Sequence, residues 1–354
     1  MNQGNHEHTA ESDLAYQEHI LQDVSRTFAL TIPQLPADLT RVVGNAYLLC
    51  RIADTIEDDP GLDAGQKQYF SESFVSVIGG ETPARHFAEA LHPLLSDSML
   101  DAERDLIFHT QRVMRITHGF SERQRAALAR CIRIMSRGMA DYQQNKTLGG
   151  LADMPRMDRY CYYVAGVVGE MLTELFCDYS AEIDARGPEL QKLAVSFGQG
   201  LQMTNILKDI WEDCARGACW LPRDVFQRVG FDLAKLDVDY QRDKFSLGLI
   251  QLIGVARLHL QNALGYTLLI PAHEVGIRRF CLWALGMAVL TLRKLHANLY
   301  FTSGQQVKIS RRSVKTVVLL SNLSVSNDTL LKLLFGGATR GLPMADNPTK
   351  AVLV

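Results

Sequence analysis

The chain has little net charge, no closely spaced cysteine pair and no long apolar run, and each absence removes a class of function. A formal net charge of −2 without any basic tract gives no electrostatic footprint for nucleic acid. Seven cysteines, an odd number with no Cys-x-x-Cys spacing, read as reduced and mostly buried thiols. No stretch reaches the ~18 apolar residues of a membrane span. The closest, Cys281 to Leu292, reads as a buried helix. Met1 to Asp13 is polar, with neither a charged start nor an apolar core, so residues 1–12 read as a loose tail and not a signal segment. The expectation is a soluble, cytoplasmic protein that can still lie against a membrane surface.

Other motifs are missing too. Gly198-Gln199-Gly200 lacks a third glycine and follows no strand, so a dinucleotide fold is excluded. There is no Walker A sequence, no Gly-x-Ser-x-Gly, no His-Glu-x-x-His, and the ten histidines show no ligand spacing. Alternating strand patterns are nearly absent; only Val314 to Leu320, short and β-branched, is ambiguous.

What is there is helix. Eleven prolines fall at the edges of apolar-periodic runs and mark helix boundaries. The periodicity predicts helices over 13–31, 38–58, 64–80, 84–95, 101–118, 121–146, 157–179, 188–213, 239–269, 274–301 and 324–336. Asp59-Pro60-Gly61 ends the second of these sharply. A 47% hydrophobic content suffices for a core, and one all-α domain over 13–340 is expected, with a C-terminal tail over 341–354.

Two acidic clusters carry the chemistry. Asp54, Glu57 and Asp58 lie three and four residues apart on one predicted helix, and Asn205, Asp209 and Asp213 on another. Carboxylates at ~6 Å repel by roughly 3 kcal/mol per pair at an effective dielectric near 20, a cost tolerable only if water or cations neutralise it. If both rows face one cavity, they would hold hard divalent cations through oxygen, Mg2+ being the natural occupant. Cationic partners lie close by. Arg26, in Ser25-Arg26-Thr27-Phe28, and Arg51 can clamp phosphate oxygens, although Arg51 could equally pair with Asp54. Lys208 and Arg216 flank the second row and could reach a diphosphate or solvent. In Tyr160-Cys161-Tyr162-Tyr163-Val164-Ala165-Gly166-Val167-Val168-Gly169, the helical glycines imply close approach by another helix or a ligand chain. The tyrosines there are either core residues or an aromatic wall beside a carbocation. Gln306 to Lys315 is a basic cluster that, as a bare charge run, reads as solvated surface.

These residues together resemble the head-to-head prenyl synthases, the squalene and phytoene synthase family. The matching motifs are Ser-Arg-Thr-Phe at 25–28, Tyr-Leu-Leu-Cys-Arg-Ile-Ala-Asp-Thr-Ile-Glu-Asp-Asp at 47–59, Tyr-Cys-Tyr-Tyr-Val-Ala-Gly-Val-Val-Gly at 160–169, Leu-Gln-Met-Thr-Asn-Ile-Leu-Lys-Asp-Ile-Trp-Glu-Asp at 201–213 and Trp-Leu-Pro at 220–222. The resemblance spans roughly residues 15–300 and implies a single-domain, all-α isoprenoid-synthase bundle, class I terpenoid synthase-like, around a central cavity. Two farnesyl diphosphates would bind through Ser25, Arg26, Phe28, Tyr47, Arg51, Gln202, Lys208 and Arg216. Mg2+, or Mn2+ in its place, would be held by Asp54, Asp58, Asp209 and Asp213 with Glu57 and Asn205 assisting. Tyr160 would act in forming presqualene diphosphate. NADPH, held at Lys308, Arg311 and Arg312 with Asn205, would then reduce it to squalene; the alternative is a dehydrosqualene or phytoene synthase without reductant, or a non-catalytic assembly relative. A greasy product makes peripheral membrane contact an option, with no transmembrane segment expected. Two departures stand out. Ala218 occupies a position where many relatives carry arginine, with Arg216 the nearest substitute, and Ser310 interrupts the basic pair of a Val-Lys-Ile segment at 307–309.

Overall fold

The apolar repeat between prolines is realised as helix along nearly the whole chain. The computed structural model describes residues 3–25 and 27–345. The protein is 77% helical, with no strand among the described residues and only an isolated bridge between Leu151 and Pro222. In chain order the helices are α1 (Gln3–Val24), α2 (Phe28–Thr31), α3 (Ala37–Asp58), α4 (Ala64–Gly79), α5 (Ala84–Leu91), α6 (Asp101–Phe108), α7 (Thr110–His118), α8 (Glu122–Gln144), α9 (Met154–Cys161), α10 (Val167–Tyr179), α11 (Ala181–Asp184) and α12 (Gly187–Lys208). They continue as α13 (Ile210–Ala215), α14 (Arg223–Arg228), α15 (Arg242–Leu269), α16 (Val275–Ala297), α17 (Gly304–Val307), α18 (Arg311–Ser324) and α19 (Asp328–Thr339).

Several expectations shift. The loose tail expected over residues 1–12 is helical from Gln3, since no proline separates it from the apolar repeat of α1. The ambiguous Val314 to Leu320 lies inside α18, whose first turn is capped by Ser310 Oγ accepting from the amide of Ser313. Of the C-terminal tail, 346–354 lie outside the described residues. The helices gather into two compact units, Met1–Gln144 with Glu170–Gly187 and Asn145–Gly169 with Pro188–Val354. The chain passes between them at the end of α8 and inside α10 and α12, where no linker composition marks the change.

In the first unit α3 packs against α1, α4, α7 and α8. Its Leu48, Leu49, Ile52 and Ile56 are completely buried. A polar lock fixes its rotation. Buried Asn45 donates to Gln17 (3.3 Å) and to the carbonyl of Val113 (3.0 Å), and accepts from Thr117 (2.8 Å). The helix stops where Asp59 turns back, its carboxylate accepting from the amides of Gly61 (2.6 Å) and Ser96 (3.2 Å). Asp13 in α1 is buried against Arg112 and Arg115; burial alone would raise its carboxyl, but the two guanidiniums outweigh this and hold it below its ordinary value.

In the second unit the close approach expected at the helical glycines comes from another helix. A carbon added to Gly169 would lie 2.1 Å from the carbonyl oxygen of Ala194 in α12, and one added to Gly198 would lie 2.1 Å from that of Ala165. Arg278, 2% exposed, ties three segments by donating to the carbonyls of Ile270 (2.6 Å) and Val325 (3.0 Å) and to Asp328 (2.7 Å). α16 is long and apolar enough to cross a membrane, but 67% of its apolar stretch is buried within the protein, as the sequence reading of Cys281 to Leu292 anticipated.

Gly198→Ala should therefore destabilise the protein by about 2–3 kcal/mol through overpacking, lowering Tm by ~3–4 °C in a thermal melt. Gly336→Ala, in α19 with nothing within 4 Å of the added carbon, should leave Tm unchanged or slightly raised.

Candidate active site

The first acidic row closes α3, and its three members differ. Asp58 is exposed, Asp54 is half-buried and Glu57 is only 1% exposed. Glu57 is turned onto α4, where its Oε1 accepts from Ser71 Oγ (2.9 Å) while its Oε2 is buried without a partner. Lys67 Nζ donates to the Glu57 carbonyl (2.5 Å). Burial raises the Glu57 carboxyl above its ordinary value, with Ser71 and Lys67 opposing. Asp54 keeps some open surface, yet protein atoms crowd it closely; that burial, with the nearby charge of Asp58, pushes its carboxyl up to about 7.

Arg51 settles one open alternative. Its hydrogen-bonded partner is Glu103 of α6, not Asp54, and its Nε is buried with no partner. The charge of Asp54 still lies near enough to raise the guanidinium further. Upstream, Tyr47 donates to the carbonyl of Val24 (3.2 Å) and its ring lies 5.2 Å from that of Phe28. Ser25 Oγ accepts from the Phe28 amide (3.0 Å). Arg26 lies outside the described residues.

The second row spans a helix break. α12 ends at Lys208, Asp209 takes φ −101° and ψ 17°, and α13 resumes. The i, i+4 rungs survive the break: the Asp209 amide donates to the Asn205 carbonyl (2.9 Å) and the Asp213 amide to that of Asp209 (2.9 Å). Asn205 is exposed; Gln202, Asp209 and Asp213 are half-buried. The flanking cations point back at the row. Lys208 pairs with Asp209 (2.9 Å) and Arg216, 69% exposed, with Asp213 (2.5 Å). Ala218 is buried and offers no charge to replace that arrangement.

Tyr160, 8% exposed, stacks on Trp220 with ring centroids 4.3 Å apart and planes 12° from parallel. The sequence signal for that pairing was the Trp-Leu-Pro motif, although motif alone does not bring the rings together. Tyr162 and Tyr163 are half-buried. Lys308, Arg311 and Arg312 are exposed at the start of α18, and none is ion-paired among the described residues. Glu103 and Ser71, which engage Arg51 and Glu57, carried no sequence signal.

The donor set fits a hard cation. Asp54 and Asp58 are neighbouring carboxylates, and the charge of Asp58 helps raise the Asp54 carboxyl. Among the described residues no group of three or more His, Cys, Asp or Glu side chains is disposed to cage a metal alone. Mg2+ characteristically takes one or two carboxylates and completes its shell with water and substrate phosphates. The free cations at the N-terminus of the 14-residue α18 likewise suit a nucleotide's phosphates.

Comparison with known proteins gives concordant results. A family model described as squalene/phytoene synthase matches residues 21–313. The squalene synthase of Eremothecium gossypii is 28% identical over 292 residues, which is 82% of this chain and 63% of that protein. Among solved structures, a ligand complex of TcSQS matches with a TM-score of 0.74 at 24% identity, over 95% of this chain and 94% of that one. A dehydrosqualene synthase crystallised with ligand matches at TM-score 0.61 and 21% identity, over 88% of this chain and 95% of that one. Both are likenesses of fold. The chain spans between about half and two thirds of the length of the curated relatives it matches.

A carboxyl held at about 7, against an ordinary 3.8, favours the folded state only while protonated. The metal-free protein should accordingly lose stability as pH rises from ~4 to ~7, where the folded chain binds the extra proton. Asp54→Asn should remove part of that loss. Thermal melts across this range check it; parallel curves for the two proteins would show that Asp54 ionises normally.

Proposed function

The chain belongs to the squalene/phytoene synthase family, and from that premise we propose that it condenses two farnesyl diphosphates head to head into presqualene diphosphate and reduces this to squalene. The observation that carries the reading is the pair of acidic rows on α3 and α12–α13, each with a cation beside it, in a chain matched by the family model over 21–313. Asp54 and Asp58 would hold Mg2+ on one row, Asp209 and Asp213 on the other, with Asn205 assisting; Glu57, turned onto Ser71, instead buttresses the first row. When bound, Mg2+ supplies the positive charge that lets diphosphate depart with the electron pair of the allylic C–O bond.

The chain's own residues do the rest. Arg51, whose Nε has no protein partner, would take phosphate oxygens as substrate arrives, and Lys208 and Arg216 would exchange row carboxylates for them. Tyr160, fixed face to face on Trp220, presents an aromatic surface and a hydroxyl to a cationic intermediate, and is assigned to the proton movement that closes the cyclopropane. NADPH at Lys308, Arg311 and Arg312 would supply a hydride for the final C–H bond, leaving NADP+. Seven free cysteines agree with a reducing, cytoplasmic setting. The exposed Leu319, Leu323 and Leu333 on α18 and α19 would give the apolar product a peripheral membrane contact.

Purified protein given farnesyl diphosphate and Mg2+ should form squalene only when NADPH is added. A polyene made equally without NADPH would assign the dehydrosqualene or phytoene reaction, and absence of diphosphate release would leave a non-catalytic relative. Asp209→Asn should lower turnover about 10²-fold or more while the circular dichroism stays helical; an unchanged rate removes the metal assignment. Tyr160→Phe should slow presqualene diphosphate formation by about 10²-fold, whereas a wild-type rate would make the phenol dispensable.

A further inference from the structure

Residues 301–307 lie directly against the helix break that carries Asp209. The indole of Trp211 donates to the carbonyl of Phe301 (2.8 Å), and the amide of Gly304 donates to Oε1 of Glu212 (2.8 Å). Phe301, Gly304 and Val307 are buried. The fit leaves no spare room: a carbon on Gly304 would sit 3.0 Å from the Lys208 carbonyl oxygen and 3.1 Å from Asp209 Oδ1. Glu212 falls outside the i, i+4 register of Asp209 and Asp213, and it is turned onto this segment, with its second oxygen buried and unpartnered. Lys308, Arg311 and Arg312 follow directly after Val307. The segment is thus a strap, anchored at one end on the helix of the second acidic row and continuing at the other into exposed cations.

We propose that Glu212, through the amide of Gly304, is a positioning residue that fixes the basic segment 308–312 relative to the Asp209–Asp213 row, and so decides whether the C30 intermediate leaves reduced. The inference rests on the squalene reading above. Hydride transfer needs donor and acceptor carbon in near contact, and a displacement of about 1 Å can cost 10²-fold. Condensation of two farnesyl chains needs the carboxylate rows but not the basic segment. Loosening the strap should therefore strike the reductive half and spare the first.

The test compares wild type with Glu212→Ala and Glu212→Gln in three measurements. These are farnesyl diphosphate consumption without NADPH, the NADPH dependence of squalene formation, and hydrogen exchange of amides 301–312 in nucleotide-free protein. Glu212→Ala should keep consumption within ~3-fold, raise the KM for NADPH about tenfold, shift product toward presqualene diphosphate, and speed exchange of the strap amides. Glu212→Gln keeps a carbonyl acceptor and should behave as wild type. Equal losses in both halves with an unchanged KM for NADPH, unchanged exchange, or a Gln variant as impaired as Ala would each overturn the proposal. If wild type itself makes no NADPH-dependent product, the squalene reading falls and takes the functional half of this inference with it; exchange then still reports whether Glu212 holds the strap.

Discussion

Two carboxylates one helical turn apart on an otherwise buried helix set the terms for this protein. α3 cannot rotate to relieve them, because Leu48, Leu49, Ile52 and Ile56 fill the core and Asn45 is locked to α1 and α7. Arg51 stands near but is engaged by Glu103. Asp54 is left with a carboxyl pushed up to about 7 and a charge the protein does not neutralise. At an effective dielectric near 20 such a neighbour costs roughly 3 kcal/mol at 6 Å, which binding of a hard cation would recover. Folding the chain strains the row electrostatically, and a cation bound there would relieve it.

The second row solves the same problem differently. Lys208 and Arg216 are drawn onto Asp209 and Asp213. Arg216 is mostly exposed, and surface ion pairs of this kind are worth only ~0–1 kcal/mol. Exchanging such a partner for a metal or a phosphate oxygen costs little. One row is therefore short of positive charge, while the other carries charge that is readily traded. The difference arises from burial: Asp54 is crowded by protein atoms, whereas the turn after α13 reaches solvent at Arg216 and Gly217.

How far the sequence showed this follows from helix geometry. Period and prolines gave the helices and the rows because both are local. Glu57 was misplaced because about 100° per residue separates it from Asp58 on the helix circumference, enough for one to face Ser71 while the other faces water. Arg51 could not be resolved because Glu103 lies 52 residues away, beyond any periodic signal. The β-branched run at 314–320 is helical because a serine cap starts it and Val317 fills the space left by Gly286 in α16; tertiary packing overrides its propensity. The two units carry no mark in the sequence because the chain changes unit inside α10 and α12, where apolar periodicity continues unbroken.

The placement of Tyr160 shows how packing, more than hydrogen bonding, sets the geometry of a buried phenol. Its helix, α9, passes through one π-helical turn, Tyr162–Gly166, in which the Val167 amide reaches back to the Tyr162 carbonyl. That extra residue re-registers α10 relative to α9. The segment then seats on α12 at Gly169 against Ala194 and at Ala165 against Gly198, both approaches too close for any side chain. Gln199 adds a bond to the Asp158 carbonyl (3.1 Å). α12 is the helix that runs on to Asn205 and Asp209. The distance from the phenol to the second carboxylate row is thus held by backbone-to-backbone contact along a shared helix, at glycines that carry no functional group of their own.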